Sequence, residues 1–250
     1  MRRISIVLVF LVLATFVPDA HAIRLGGERM IIPVIGRFPG VGGTQWRTDV
    51  FLANPYTPTV PVTIRFYPTG GAMQTRTYSI GAFSTLSLPD IVLNTFGMTN
   101  AAGPLEVIAD PSTTEARARI YNAGNPAGQF GQNVPGIGFL LLNRQAYMYG
   151  LSGINGNRVN IGVMNPNDGA IDVALIVRNK TGTIIHSRSV NVGAHAYVQF
   201  NDIFTTFGIP PQDGVQVNFS HPLERIYGYA SEVRNDTGDA VFLFGLSPNS

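Results

Sequence analysis

The chain contains its own copy, and that duplication limits its possible folds more than any other feature. Set against itself at a displacement of about 111 residues, the sequence agrees in order along most of its length. Arg47 to Pro55 answers to Arg158 to Pro166, and Pro61 to Tyr67 with Gly71 answers to Asp172 to Arg178 with Gly182. Tyr78 to Gly81 then matches Val190 to Gly193, and Leu88 to Ile91 matches Phe200 to Ile203. Phe96-Gly97 recurs as Phe207-Gly208, and Tyr121-Asn122 pairs with Arg234-Asn235. The displacement drifts by only a few residues, as insertions in surface turns produce, because lengthening a loop costs little. The architecture must therefore be one unit of roughly 110 residues used twice.

Within each copy the period is two. Val62-Thr-Ile64-Arg-Phe66 and Val173-Ala-Leu175-Ile-Val177 place apolar residues on every second position, the pattern of a strand with one buried face. Short runs of this kind recur at 48–53, 75–80, 83–88, 105–109 and 116–121, with counterparts at 159–164, 184–190, 196–200, 215–219 and 226–233. Turn residues separate them, as in Pro68 to Gly71, Asn179 to Gly182 and Asp213-Gly214. Strands near ten residues apart, punctuated by 28 glycines and 17 prolines, predict two tandem antiparallel β-sandwiches of immunoglobulin-like type, with about seven strands each. One interruption is shared: Asp90 to Gly97 and Asp202 to Gly208 each read as a short helix opened by an N-cap aspartate and closed by a C-cap glycine. Ile91 with Phe96, and Ile203 with Phe207, are placed to plug an open end of each core. A catalytic carboxylate at Asp90 or Asp202 is the rarer explanation of an acid at such a position.

The first residues carry the parts of a secretory leader: Arg2 and Arg3, an apolar run from Ile4 to Val17, and Ala20-His21-Ala22 as a small-x-small cleavage site. The run is shorter than the roughly 20 residues of a spanning helix, which favours cleavage over an uncleaved anchor. The expected organisation is a signal peptide over 1–22, a first sandwich over 23–135 and a second over 136–250, with a short linker near Gln129–Gly138 and domains that touch. Cleavage deletes Arg2, Arg3 and Asp19, taking 17 basic and 15 acidic residues to 15 and 14. With Lys180 the only lysine, no basic stripe exists for nucleic acid or an anionic membrane. No second apolar run is long enough to span a bilayer. The absence of cysteine excludes disulfides, thiolate metal sites, a cysteine nucleophile and a lipoprotein anchor.

The run Ile32 to Pro55 and the segment from Tyr121 through Pro135 resemble a tandem β-sandwich repeat of secreted bacterial proteins, most of them uncharacterised. The resemblance covers nearly all of 29–250, although the stretch after Asn235 departs from the stretch after Asn122. It implies an immunoglobulin-like sandwich in a secreted or surface setting, and it brings no catalytic residues.

Residues present in both copies are expected to serve what the copies share, which is folding. Asn54-Pro55 and Asn165-Pro166 read as strand-ending turns, and Arg47 and Arg158, with Asp49 and Asn160 two positions on, as paired polar contacts rather than a shared ligand site. The mature histidines, His186, His195 and His221, show no metal-ligand spacing. Gly150-Leu-Ser152-Gly153 falls one residue short of a nucleophile elbow, and Gly40 to Gly43 lacks the third glycine of a dinucleotide loop. Asn165 to Gly169 is oxygen-rich, so hairpin chemistry and a calcium ion both stay open there. Trp46, Tyr56, Tyr67, Tyr147 and Tyr149 fall at strand ends or in loops, where rings can stack on sugars or anchor a protein partner. These readings predict a chain with no cofactor and no catalytic residue. It is a secreted or cell-surface module, with the periplasm as a further location, that meets an unidentified protein or glycan in adhesion, matrix or spacing. A carbohydrate-binding accessory protein using the loop aromatics is the second reading, and a secreted hydrolase the weakest.

Overall fold

The computed structural model describes residues 28–40, 43–109, 114–126 and 128–247, so the expected signal peptide lies outside the described residues. The first half contains β1 (Arg29–Pro39), β2 (Gln45–Asn54), β3 (Val60–Phe66), β4 (Gln74–Ile80), β5 (Ser84–Leu88), α1 (Ile91–Asn94), β6 (Ala101–Ala109), β7 (Glu115–Asn122), β8 (Phe130–Pro135) and β9 (Ile137–Gly138). A 3-10 turn, Phe139–Leu141, leads into the second half. There follow β10 (Gln145–Leu151), β11 (Asn157–Met164), β12 (Ile171–Arg178), β13 (Ile184–Val192), β14 (Tyr197–Phe200), α2 (Ile203–Phe207), β15 (Val215–Ser220), β16 (Tyr227–Arg234) and β17 (Ala240–Phe244).

Both halves have one topology. The first stacks β4-β3-β6-β1 on β5-β2-β7-β8, and the second stacks β13-β12-β15-β10 on β14-β11-β16-β17. The expected fold, two tandem antiparallel sandwiches each with one short helix, is the fold of the chain. β2 and β11, which carry Arg47 to Asn54 and Arg158 to Met164, occupy the same place in their sheets. Each sandwich has eight principal strands among the described residues rather than seven. In the first half, Phe38 and Pro39 at the end of β1 cross to pair with Trp46 and Gln45 of β2, so the two sheets are continuous there.

Alternation puts the cores where the sequence predicts. Val60, Val62, Ile64 and Phe66 of β3 face Val50, Leu52, Ala118 and Ile120 across the first sandwich, while Val173, Leu175 and Val177 of β12 face Val159, Ile161 and Val163 across the second. Ile91 and Phe96 close one core and Ile203 and Phe207 the other. A third apolar cluster lies between the sandwiches: Ile31, Ile137 and Leu142 from the first half and the connection, with Met164, Tyr227 and Tyr229 from the second.

Three expectations are corrected. Gln129–Gly138 is not a linker, because its residues form the edge strand β8 and the two-residue β9, which pairs Ile137 with Ile31 and Gly138 with Met30. The last station of the duplication slips by one residue. Arg47 pairs with Tyr121 and Arg158 with Val233, so Tyr121 corresponds to Val233 and Asn122 to Arg234. The aspartates that open the helices are not side-chain caps: Asp90 and Asp202 sit in the left-handed region at φ 40° and 42°, with no capping bond from either carboxylate. Their backbone N–H groups donate instead to Asp49 Oδ1 at 2.8 Å and Asn160 Oδ1 at 3.0 Å, anchoring each helix to its second strand. The closing glycines behave as expected: Gly97 and Gly208 adopt φ 70° and 65°, where a side chain would be strained.

Candidate functional site

The shared residues build joints. Asn54, fully buried at the end of β2, donates from Nδ2 towards the carbonyls of Pro58, Ile80 and Gly81 and accepts from the Tyr56 N–H. Asn165 repeats the arrangement on Gly169, Val192 and Gly193, and accepts from the Asn167 N–H and side-chain amide. Each asparagine ties the turn after its strand to the end of β4 or β13, while Pro55 and Pro166 stop the strand. The side-chain oxygen of Asn165 and the side-chain N–H group of Asn167 are thus engaged in the hairpin. Among the described residues no three His, Asp or Glu side chains gather as metal ligands would.

Around α1 the polar residues form one knot. The Asp90 carboxylate pairs with Arg37 and lies 3.6 Å from Arg47. Tyr121 donates to Asp49 at 3.3 Å, and burial together with that carboxylate raises its phenol pKa. Arg158 instead donates to Asn235 Oδ1 at 2.7 Å, and burial lowers its pKa. The Asp202 carboxylate accepts from the Thr205 hydroxyl.

Residues found in one copy alone converge where the copies meet. Glu106, almost wholly buried on β6, accepts from Arg29, from Arg65 at 3.3 Å and from the Tyr67 hydroxyl at 3.1 Å. Arg29 reaches on to the Pro166 carbonyl at 2.7 Å, and Tyr67 stacks on His195 with ring centroids 4.6 Å apart. His195 Nε2 lies 2.9 Å from Asp168 Oδ1. Burial first, then the neighbouring Glu106, raises the Tyr67 pKa. Beside this chain opens a cleft of about 360 Å3, lined by Arg29, Phe139, Asn167, Asp168 and Glu224 among others. A second cleft of about 360 Å3 lies by Asn122, Asn125, Arg158, Asn235 and Thr237.

The first cleft is the place to look for chemistry, and its arginine and its histidine-paired aspartate are already engaged. The Arg29 guanidinium holds Glu106 and Pro166 and lies 4.4 Å above the Phe139 ring. The Asp168–His195 pair has no serine or threonine hydroxyl bonded to the imidazole among the described residues. Ser152 is elsewhere: its N–H donates to Glu232, and a Cβ on Gly153 would meet the Phe204 ring at 2.0 Å, so packing explains that glycine. Gly40 N–H donates to Thr44 across the turn between β1 and β2, although residues 41 and 42 of that motif lie outside the described residues. His186 stacks on Phe207 at 4.0 Å, with its pKa lowered by burial and by Arg188, and His221 Nδ1 accepts from the Leu223 and Glu224 N–H groups.

The five aromatic residues do not share a surface. Trp46 packs against the first core, and Tyr56 lies beyond the far end of the same strand, about 30 Å of extended chain away. Tyr67 is taken up by His195, and Tyr147 and Tyr149 stand on β10 in the other sandwich. Sequence reasoning missed Glu106. Its available signal was an acid in the otherwise apolar run Leu105 to Ile108, where the second copy has Asn218.

No family model matches the sequence, and no curated protein matches it. Among solved structures, the chain is similar to Thermotoga maritima 1070 at 12% identity and a TM-score of 0.36, over 44% of this chain and 93% of that one. A calcium-binding mutant of Bacteroides uniformis beta-glucuronidase 2 aligns at 9% identity and a TM-score of 0.17, over 85% of this chain and 28% of the enzyme. A structure of infectious bursal disease virus, Gx strain, aligns at 8% identity and 0.19, over 82% and 70%. Likenesses this slight carry no argument about activity.

Proposed function

We propose that the chain is a non-catalytic module of the cell exterior, a rigid tandem sandwich that serves as a structural or binding element in adhesion, matrix or spacing. The observation that carries this reading is the junction. Tyr227 donates to the Pro135 carbonyl at 2.9 Å, Ser231 to Gln132 at 2.7 Å and Asn125 to the Thr237 carbonyl at 3.1 Å, around the shared apolar cluster. Two domains joined by apolar packing and by several directed bonds hold a fixed geometry, which is what a spacer or scaffold requires. The same junction engages Glu106, Arg29 and His195, the residues best suited to chemistry. The leader-like first 22 residues support export.

Expression from the native start followed by fractionation and mass measurement tests location. The expected product begins at Ile23 and lies outside the cytoplasm, and a full-length cytoplasmic product overturns export. Incubation with cell-wall and storage polysaccharides is expected to release no soluble fragment, and release would overturn the non-catalytic reading.

A further inference from the structure

The two sandwiches meet head to tail. The side of the first, where β1, β8 and β9 come together, rests on the outer face of β11, β16 and β17 of the second, where Phe242 stacks on Tyr229 and meets the first core; Val241 and Phe244 of the same strand stay open. Because the copies share a register, each half of that junction has a counterpart in the copy that does not use it. On the side, Ile31, Gln132, Pro135 and Ile137 correspond to Tyr147, Val241, Phe244 and Leu246. On the face, Gly162, Met164 and His195 correspond to Phe51, Ala53 and Phe83, and Asn167 to Tyr56.

Both counterparts are open: the side is apolar, and the face is mixed, with Phe51, Tyr56 and Phe83 beside Glu115, Arg117 and Arg119, which take the places of Tyr227, Tyr229 and Ser231. Val241, Phe244 and Leu246 are 60%, 37% and 43% exposed, and Phe83 and Tyr56 are 75% and 43% exposed. Phe51 lies under the Arg117 guanidinium, 4.7 Å from the ring centre. Tandem arrays end on polar capping surfaces when their terminal faces are to stay in water. Here neither surface is a purely polar cap: Val241, Phe244 and Leu246 stand open on the side, and Tyr56 and Phe83 stand open on the face among its charged residues. The unused side is also already formed, since Leu246 exchanges backbone hydrogen bonds with Tyr147 at the place where Ile137 pairs with Ile31.

We propose that the chain docks on a second copy of itself: the Val241, Phe244 and Leu246 side of one molecule's second sandwich meets the Phe51, Tyr56 and Phe83 face of the next molecule's first. The contact repeats between molecules the junction that the structure shows within one. It joins unlike surfaces, so each added molecule leaves one of each free, and association extends into chains or closes a ring. Arg117 and Arg119 stand where the inner junction has Tyr229 and Ser231. They offer cations to the arriving rings of Phe244 and Tyr147. The association does not depend on export.

Sedimentation velocity on the purified full chain, from micromolar to millimolar concentration, tests this. Species are expected to grow with concentration beyond the dimer. Phe83→Asp and Leu246→Asp, each at an exposed position, are each expected to weaken association at least about tenfold. Mixed in equal amounts, the two variants should recover a dimer that stops at two, because each retains the half that the other lacks. A like-to-like contact would be lost in only one variant and not recovered by mixing, which overturns the proposal. So does a monomer at all concentrations, or association surviving both changes, as contact through the apolar N-terminus would. Unfolding temperatures confirm that each variant is folded, and Phe83→Ser and Leu246→Ser replace any that is not.

Discussion

Replacing Asn165 with alanine isolates the joint that the two copies share. The side chain has two N–H groups directed at three carbonyls, at 2.7, 3.1 and 3.0 Å, and an oxygen that accepts the Asn167 N–H at 3.0 Å. That is three bonds' worth of interaction in a site closed to water. At about 1 kcal/mol net per bond, with more where a buried carbonyl loses its donor, the loss is about 3–4 kcal/mol. On a cooperative unit of this size each kcal/mol lowers Tm by about 2–4 °C, so a fall of about 6–16 °C is expected. Asn54→Ala removes the same set at Pro58, Ile80, Gly81 and Tyr56, and should cost the same within about 1 kcal/mol. Urea unfolding followed by tryptophan emission and by circular dichroism measures both. A loss below about 1 kcal/mol in either variant would show that these bonds are replaced by water, and would refute the claim that the asparagines hold the turns.

Gly162→Ala should destabilise by about 1–3 kcal/mol, since the new Cβ would meet the Tyr229 ring at 2.2 Å inside the junction; an unchanged denaturation midpoint argues against that packing. Glu106→Gln leaves Arg29 and Arg65 without their buried carboxylate and should cost about 2–4 kcal/mol while speeding proteolysis near the junction, which a digestion time course reads. Burial holds the Tyr227 and Tyr229 phenols well above their usual pKa of 10. Above about pH 10 the unfolded chain therefore releases protons that the folded chain keeps. Stability from these groups is complete below that pH and falls by up to about 1.4 kcal/mol per pH unit per tyrosine as it rises. Ultraviolet titration should show both phenols ionising only with unfolding, and Tyr229→Phe should flatten the decline.

The strands with one wet face were legible and those with none were not. β3 and β12 alternate plainly because one side meets the core and the other meets solvent. β1 reads as the unbroken apolar run Met30 to Ile35 because Met30, Ile32 and Ile35 enter the core while Ile31 enters the junction. β8 reads as a linker because Gly131, Gln132, Asn133 and Pro135 are poor strand formers, tolerated on an edge strand where pairing is one-sided. Identity pairs Asn122 with Asn235, whereas the hydrogen-bond ladder pairs it with Arg234, because the second copy carries one residue fewer before this point than the identity implies. The junction itself left no motif. Glu106, Arg29, Tyr67 and His195 come from separate places in the chain and are neighbours only once both sandwiches exist.

Tandem copies of one fold are prone to exchange strands while folding, because each offers its neighbour a familiar partner. β16 is buried on both faces, with Tyr229 seated over Gly162, whereas the matching strand β7 turns Arg117 and Arg119 outward beside Phe51. A β7 hairpin placed by mistake in the second sandwich would set two guanidinium groups against Ile31 and Ile137, aliphatic side chains with no ring face to receive a cation. A misplaced β16 would leave its tyrosines in water. The divergence that fixes how the halves sit together therefore also sorts their strands during folding, so the chain carries its own proofreading against swapped assembly.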